Sequence, residues 1–342
     1  MSPAQENGRP SLMELALRSK SAMVVGIGGG GDVIQAIPVV NYLLLLGVKE
    51  LVVGGVGCAW WTPQGEAISS EQGIYIYGPT IYDVEELTPC KKWGPGIVGV
   101  SPDSHWKGRR PAEAVLAHLL PDSPFVVSLL GGAQGVLESL RHVIRDRGID
   151  LVVAVDIGSD AFHDGREASK AYTSLVDFIS LAALAQLDVP VVYGLAGYGA
   201  DGEMQLEELD ERVGRVMKAG GYLGAMGLTQ RDVEEMHQAC LLYPDPVEPM
   251  APAAARGELG LHNVMTKGPW GVVVKITPLA AVMLHFDPRV MIAEVCRGVA
   301  ALKMTRSLAE AEEIYRSELG EIPETRLDKM IRFFHPSPPS SP

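Results

Sequence analysis

Asp156 and Asp160 stand close together in the segment VDIGSDAFHDGRE, followed by His163, Asp164 and Glu167. Asp156 comes directly after the apolar run LVVAV. A carboxylate at the end of a buried strand is costly unless it is paired, hydrogen-bonded or bound to metal. The pair therefore points to a metal site or to acid–base chemistry. His163 or Glu167 is the candidate that moves the proton, with a neighbouring carboxylate to orient the histidine. The competing reading of His163 is an ordinary loop histidine.

A second candidate is the glycine run in VVGIGGGGDVIQ, where Gly28, Gly29, Gly30 and Gly31 precede Asp32. Glycine amides after a strand can cradle phosphate. Asp32 at the same mouth would repel it. Two ligands reconcile these features: the amides hold an anion, while Asp32, Asp156 and Asp160 hold a hard cation such as Mg²⁺ or grip sugar hydroxyls. Other strand-like runs also end in glycine, at Gly55, Gly131, Gly132 and Gly197, the last just before Asp201 and Glu203. In a parallel sheet these turns share one edge, and ligands bind in the crevice outside it. Each turn alone is equally consistent with tight loop geometry.

The spacing of Gly26, Gly28 and Gly31 also fits a dinucleotide fingerprint. That motif wants an acid at the end of the second strand, and here the strand ends Gly54-Gly55-Val56. A P-loop is excluded, because no Lys-Ser/Thr pair follows the glycines. Nucleophilic serine or cysteine motifs are absent, and the four cysteines (Cys58, Cys90, Cys240 and Cys296) lack zinc-site spacing. A formal net charge of −13 argues against a nucleic-acid partner. The one compact basic cluster, KGRR at 107–110, is a solvated loop or an anion clamp.

These residues need a scaffold, and the sequence supplies one. Short apolar runs (AMVVG, ELVVGG, FVVSLLGG, IDLVVAV, VPVVY) alternate with helical segments, which predicts an α/β fold. The expected form is a doubly wound, mostly parallel Rossmann-like sheet with helices on both faces. Residues 1–20 form a lead-in and 21–300 the α/β domain, with an aromatic-rich insertion over 58–110. A helical segment follows over 301–335, with Ser307 and Glu310 as a capping box, and 336–342 is a disordered tail. GVVVKITPLAAVMLHF reads as a strand or hairpin interrupted by Pro278. The N-terminus lacks a signal-peptide pattern and the longest greasy stretch is too short for a membrane span. The expected location is therefore cytoplasmic, with no membrane partner. A homo-oligomer remains open.

Three segments together resemble a largely archaeal family of unknown function, number 1152: GIGGGGDVIQAIPVVNYLLLLGV, DIGSDAFHDGRE and GGYLGAMGLT. The resemblance implies a Rossmann-like α/β fold and carries no established activity. From the residues themselves, the expected function is an enzyme binding a phosphorylated or ribosylated, nucleotide-like small molecule. Metal-assisted hydrolysis or group transfer is the favoured chemistry. The alternatives are an NAD(P)- or FAD-dependent oxidoreductase and a non-catalytic nucleotide-binding or scaffold protein.

Overall fold

The run SAMVVG forms the central strand β1 (Ser21–Gly26), buried along its whole length. Its side chains alternate between two cores. Ala22 and Val24 join one, Met23 and Val25 the other. A strand covered on both faces needs no polar side, which is why its sequence is continuously apolar. The computed structural model describes residues 8–60, 79–120, 122–164, 174–243, 247–264 and 273–319.

The remaining strands, in chain order, are β2 (Glu50–Val56), β3 (Cys58–Trp60), β4 (Pro79–Ile81), β5 (Thr88–Gly94), β6 (Ile97–His105) and β7 (Phe125–Val127). They continue with β8 (Leu151–Ile157), β9 (Val191–Ala196), β10 (Tyr222–Gly227), β11 (Gly260–Asn263), β12 (Val273–Ile276) and β13 (Val282–Phe286). One nine-stranded sheet runs β10-β13-β9-β8-β1-β2-β7-β6-β5. Its centre, β9-β8-β1-β2-β7, is parallel throughout. Antiparallel strands extend both flanks. The fold is thus α/β, a large mixed sheet around a parallel centre.

From β1 the chain first places β2, β5, β6 and β7 on one side, with β7 fitted between β2 and β6, then returns to place β8 and β9 on the other side. The direction of winding reverses between β1 and β8. In parallel sheets the carboxyl ends of the strands at such a reversal are where ligands bind.

The helices α1 (Leu12–Ala16), α2 (Ala36–Leu45) and α3 (Ala112–Leu116) contribute to the core that holds Ala22 and Val24. The helices α4 (Gly132–Arg147), α5 (Ser174–Leu184) and α6 (Leu206–Lys218) pack on the opposite face. Helices α7 (Gln230–Leu242) and α8 (Met250–Ala255) join the first face, and α9 (Pro288–Glu294), α10 (Arg297–Leu302) and α11 (Leu308–Leu319) the second. Helix α5 is buried at every position, for α4, α10 and α11 close over it. Tyr315 of α11 meets Phe178 of α5 edge-on at 5.9 Å between ring centroids. The C-terminal helix is therefore part of the main core.

The 58–110 region divides. Its β5 and β6 belong to the main sheet, and β3 pairs with β4 in a small separate ribbon. The GIYIYG run and the aromatic Trp61 lie outside the described residues. Pro278 does interrupt the strand pattern near the C-terminus. A 3₁₀ turn over Pro278–Ala281 separates β12, which pairs with β11, from β13 in the main sheet. The Ser307–Glu310 box forms by half: Ser307 Oγ accepts from Glu310 N at 3.1 Å, while Glu310 Oε2 accepts from Arg306 N at 2.7 Å. Among the described residues no helix is long and apolar enough to cross a membrane.

Candidate functional site

Asp32, Asp156 and Asp177 meet at the carboxyl ends of β1 and β8. One ligand atom from each lies within 4.8 Å of the others, and all three residues are buried. Three different elements deliver them. Asp32 opens the 3₁₀ turn that follows the glycines, Asp156 is near the end of β8, and Asp177 lies in the first turn of α5. Ser180 Oγ donates to the Ile27 carbonyl at 2.9 Å and so fixes α5 against the end of β1.

The glycine turn is shaped by these carboxylates. A Cβ on Gly28 would lie 2.6 Å from Asp32 Oδ2 and 2.8 Å from Asp177 Oδ1. Gly28 N donates to Asp32 Oδ2 at 2.5 Å, and Gly30 N donates to the Cys58 carbonyl at 2.9 Å. Two of the amides expected to hold phosphate thus serve the protein's own oxygens. On the other side of the turn, the Glu248 carboxylate occupies the space a side chain on Gly31 would need. Glu248 is 3% exposed and comes from the segment just before α8.

Burial dominates the electrostatics. It pushes the Asp32 carboxyl well up, helped by Asp156 and Asp160. Burial raises Asp156 to about 7, with Asp201 adding to the shift. The Tyr193 hydroxyl opposes it by donating to Asp156 Oδ2 at 2.5 Å. Asp201 is likewise raised to about 7, by burial and then by Asp160. Burial thus favours the neutral form of each carboxyl, and a bound cation would favour the charged form.

Asp160 lies in the next layer, buried, with its carboxylate accepting from Ala161 N at 3.1 Å. Asp177 rather than Asp160 completes the tight triad with Asp32 and Asp156. Asp201 accepts from Ser159 N at 2.9 Å and Ser159 Oγ at 2.8 Å, so it shapes the turn after β8. His163 is buried beside Asp164, which forms an ion pair with Arg212 at 3.2 Å. Glu167 lies outside the described residues.

The remaining glycines do other work. Gly55, at the end of β2, faces the Glu113 carboxyl from α3. Gly132 opens α4 against Thr305, whose Oγ1 accepts from Ala133 N at 3.0 Å. The amino end of α4 is therefore capped from within the chain. Gly197 packs against Ile157 of β8.

Sequence reasoning missed Asp177, Glu113 and Glu248. A signal existed for Asp177: a carboxylate inside the otherwise uncharged SLVDFISLAAL, where burial on all sides makes a charge expensive.

No curated protein and no solved structure matches the chain. The family model described as "Protein of unknown function (DUF1152)" matches residues 72–331, and the chain belongs to that family. The matched span contains Asp156, Asp160, Asp177 and Asp201, whereas Asp32 and the glycine turn precede it.

Proposed function

We propose that this family member binds a hard divalent cation, such as Mg²⁺, through Asp32, Asp156 and Asp177. The bound cation would support hydrolysis of, or group transfer from, a phosphorylated or ribosylated small molecule. The observation that carries this reading is the convergence of three buried carboxylates from three elements within 4.8 Å. Gathering like charges in a low dielectric is unfavourable, and an oxygen-ligated cation offsets it. The location supports the same reading. A parallel centre that reverses direction between β1 and β8 matches a doubly wound, Rossmann-like sheet, where ligands bind at the switch point.

A cation there would act as a Lewis acid toward phosphoryl oxygen and would lower the pKa of a bound water. It also supplies the route to phosphate, since Gly28 N and Gly30 N already donate within the chain. Tyr193, donating to Asp156 Oδ2, would hold that ligand carboxylate in place. His163 and Asp160 are buried as well.

A dinucleotide site is the second reading, and one observation favours it. Glu113 places a carboxyl over Gly55, at the end of β2, where dinucleotide sites carry the acid that holds ribose. Titration with NADH, followed by its fluorescence, separates the two readings.

The direct test is Mn²⁺ binding to the purified chain, followed by electron paramagnetic resonance. The expected result is one site, lost in Asp177→Asn and Asp156→Asn and weakened less in Asp160→Asn. A folded protein that takes up no Mn²⁺, or an Asp177→Asn variant that binds as wild type does, overturns the reading.

A further inference from the structure

Gln35 ends the 3₁₀ turn that Asp32 begins. It is fully buried, at 0% exposure, and neither Oε1 nor Nε2 of its carboxamide has a hydrogen-bond partner. Native chains satisfy nearly all buried polar side-chain atoms, so a carboxamide bare at both ends calls for an explanation. Packing alone does not provide one, because a methionine or leucine would fill the same space without the penalty.

The geometry of the turn supplies the explanation. Side chains three residues apart eclipse each other in a 3₁₀ turn. Gln35 therefore leaves the backbone on the same side as Asp32, whose carboxylate belongs to the triad. The face of the turn that carries Asp32 thus also carries a neutral group with a donor and an acceptor side by side. Carboxylates can grip hydroxyls or metal. They cannot pair with an edge that presents both a donor and an acceptor.

We propose that Gln35 reads the base of a nucleoside phosphate through a two-point hydrogen bond. A carboxamide complements the adjacent donor and acceptor on a nucleobase edge, as it does in the readout of adenine. This rests on the cation reading above and narrows its ligand class. The phosphate belongs to the cation, the base to Gln35.

The test compares ligands that differ only in the base. Dissociation constants are measured for ribose 5-phosphate and for AMP, GMP, CMP and UMP, each with Mg²⁺, on wild type and on Gln35→Met. In wild type at least one nucleotide should bind about tenfold tighter than ribose 5-phosphate. In Gln35→Met that preference should vanish, the response to Mg²⁺ alone should persist, and the ligand-free protein should melt no lower than wild type. Gln35→Asn, which keeps both groups but withdraws them by one methylene, should also lose the preference, and it serves if the methionine variant does not fold. The proposal is overturned if no nucleotide outbinds ribose 5-phosphate. It is equally overturned if either folded variant keeps the preference. A wild-type protein blind to Mg²⁺ would instead remove the cation reading, and the same comparison run in EDTA would then decide Gln35 alone.

Discussion

The carboxylate of Asp177 stands where a side chain on Gly28 would begin, 2.8 Å from the position of its Cβ. Asp177 approaches from α5 and Gly28 from the turn after β1, so the missing side chain is what allows the two elements to share a site. Gly28→Ala should therefore do more than stiffen a loop. The added methyl must displace Asp32 or Asp177, and an overpacked interior typically loses about 1–3 kcal/mol. Chemical denaturation should show that loss, together with loss of Mn²⁺ binding. Gly135→Ala in α4 is the control, because a Cβ there meets nothing within 4 Å. It should be neutral or stabilising by about 0.5–1 kcal/mol. Equal behaviour of the two variants would show that the approach of Asp177 to Gly28 has no energetic weight.

Tyr193 and Asp156 form the second relationship with a measurable cost. Both are buried, on adjacent parallel strands, and the phenol donates to the carboxylate at 2.5 Å. Tyr193→Phe leaves an acid in place with one donor fewer, which should cost about 1–3 kcal/mol. A double-mutant cycle with Asp156→Asn should return a coupling of similar size, since the residues act through one bond. Additive losses would mean that the hydroxyl does not act through Asp156, since the variant keeps the ring and its packing against Phe162, 5.9 Å away between ring centroids.

Parts of this arrangement are legible in the sequence, and the reason is burial. Strands β1 and β8 are covered on both faces, so they read as unbroken apolar runs, and Asp156 stands out at the end of one. Asp177 shows in the sequence as the lone charge of SLVDFISLAAL, but helix α5 reaches Asp32 and Asp156 only through tertiary packing, which no local pattern encodes. The glycine turns were visible, but their purpose was not. Gly31 and Gly55 make room for Glu248 and Glu113, residues distant in sequence, and no local pattern encodes such a partner. Strand β5 escaped notice because an edge strand with Lys91 and Lys92 exposed lacks the apolar content of the centre.

The glycines at the start of α4 lead to a third prediction. Thr305 Oγ1 accepts from Ala133 N at 3.0 Å, and the Thr305 carbonyl accepts from Gln134 N at 3.0 Å. Thr305 thus caps the helix from outside its own sequence. Thr305→Ala should cost about 1 kcal/mol, the usual value of a lost cap. Thr305→Ser should restore most of it. Inorganic phosphate should not rescue the alanine variant. A rescue would mean that the helix terminus accepts an anion after all.

Glu113 provides the pH dependence. Burial raises its carboxyl from 4.5 to about 8, and it lies over Gly55 in the interior. Below the unfolded pKa both states hold the proton, and the group makes stability independent of pH. Between 4.5 and about 8 only the folded state holds it, so unfolding releases a proton. Stability then falls as pH rises, by up to about 1.4 kcal/mol per pH unit, and levels off once the folded group has ionised. Gln at this position cannot ionise and removes the slope. Wild type should therefore lose stability relative to Glu113→Gln between pH 5 and pH 8, by an amount on the order of several kcal/mol. Urea denaturation of both proteins at half-unit pH steps measures the difference directly. A gap between the two curves that stays constant across this window would show that Glu113 ionises at the same pH whether the chain is folded or not.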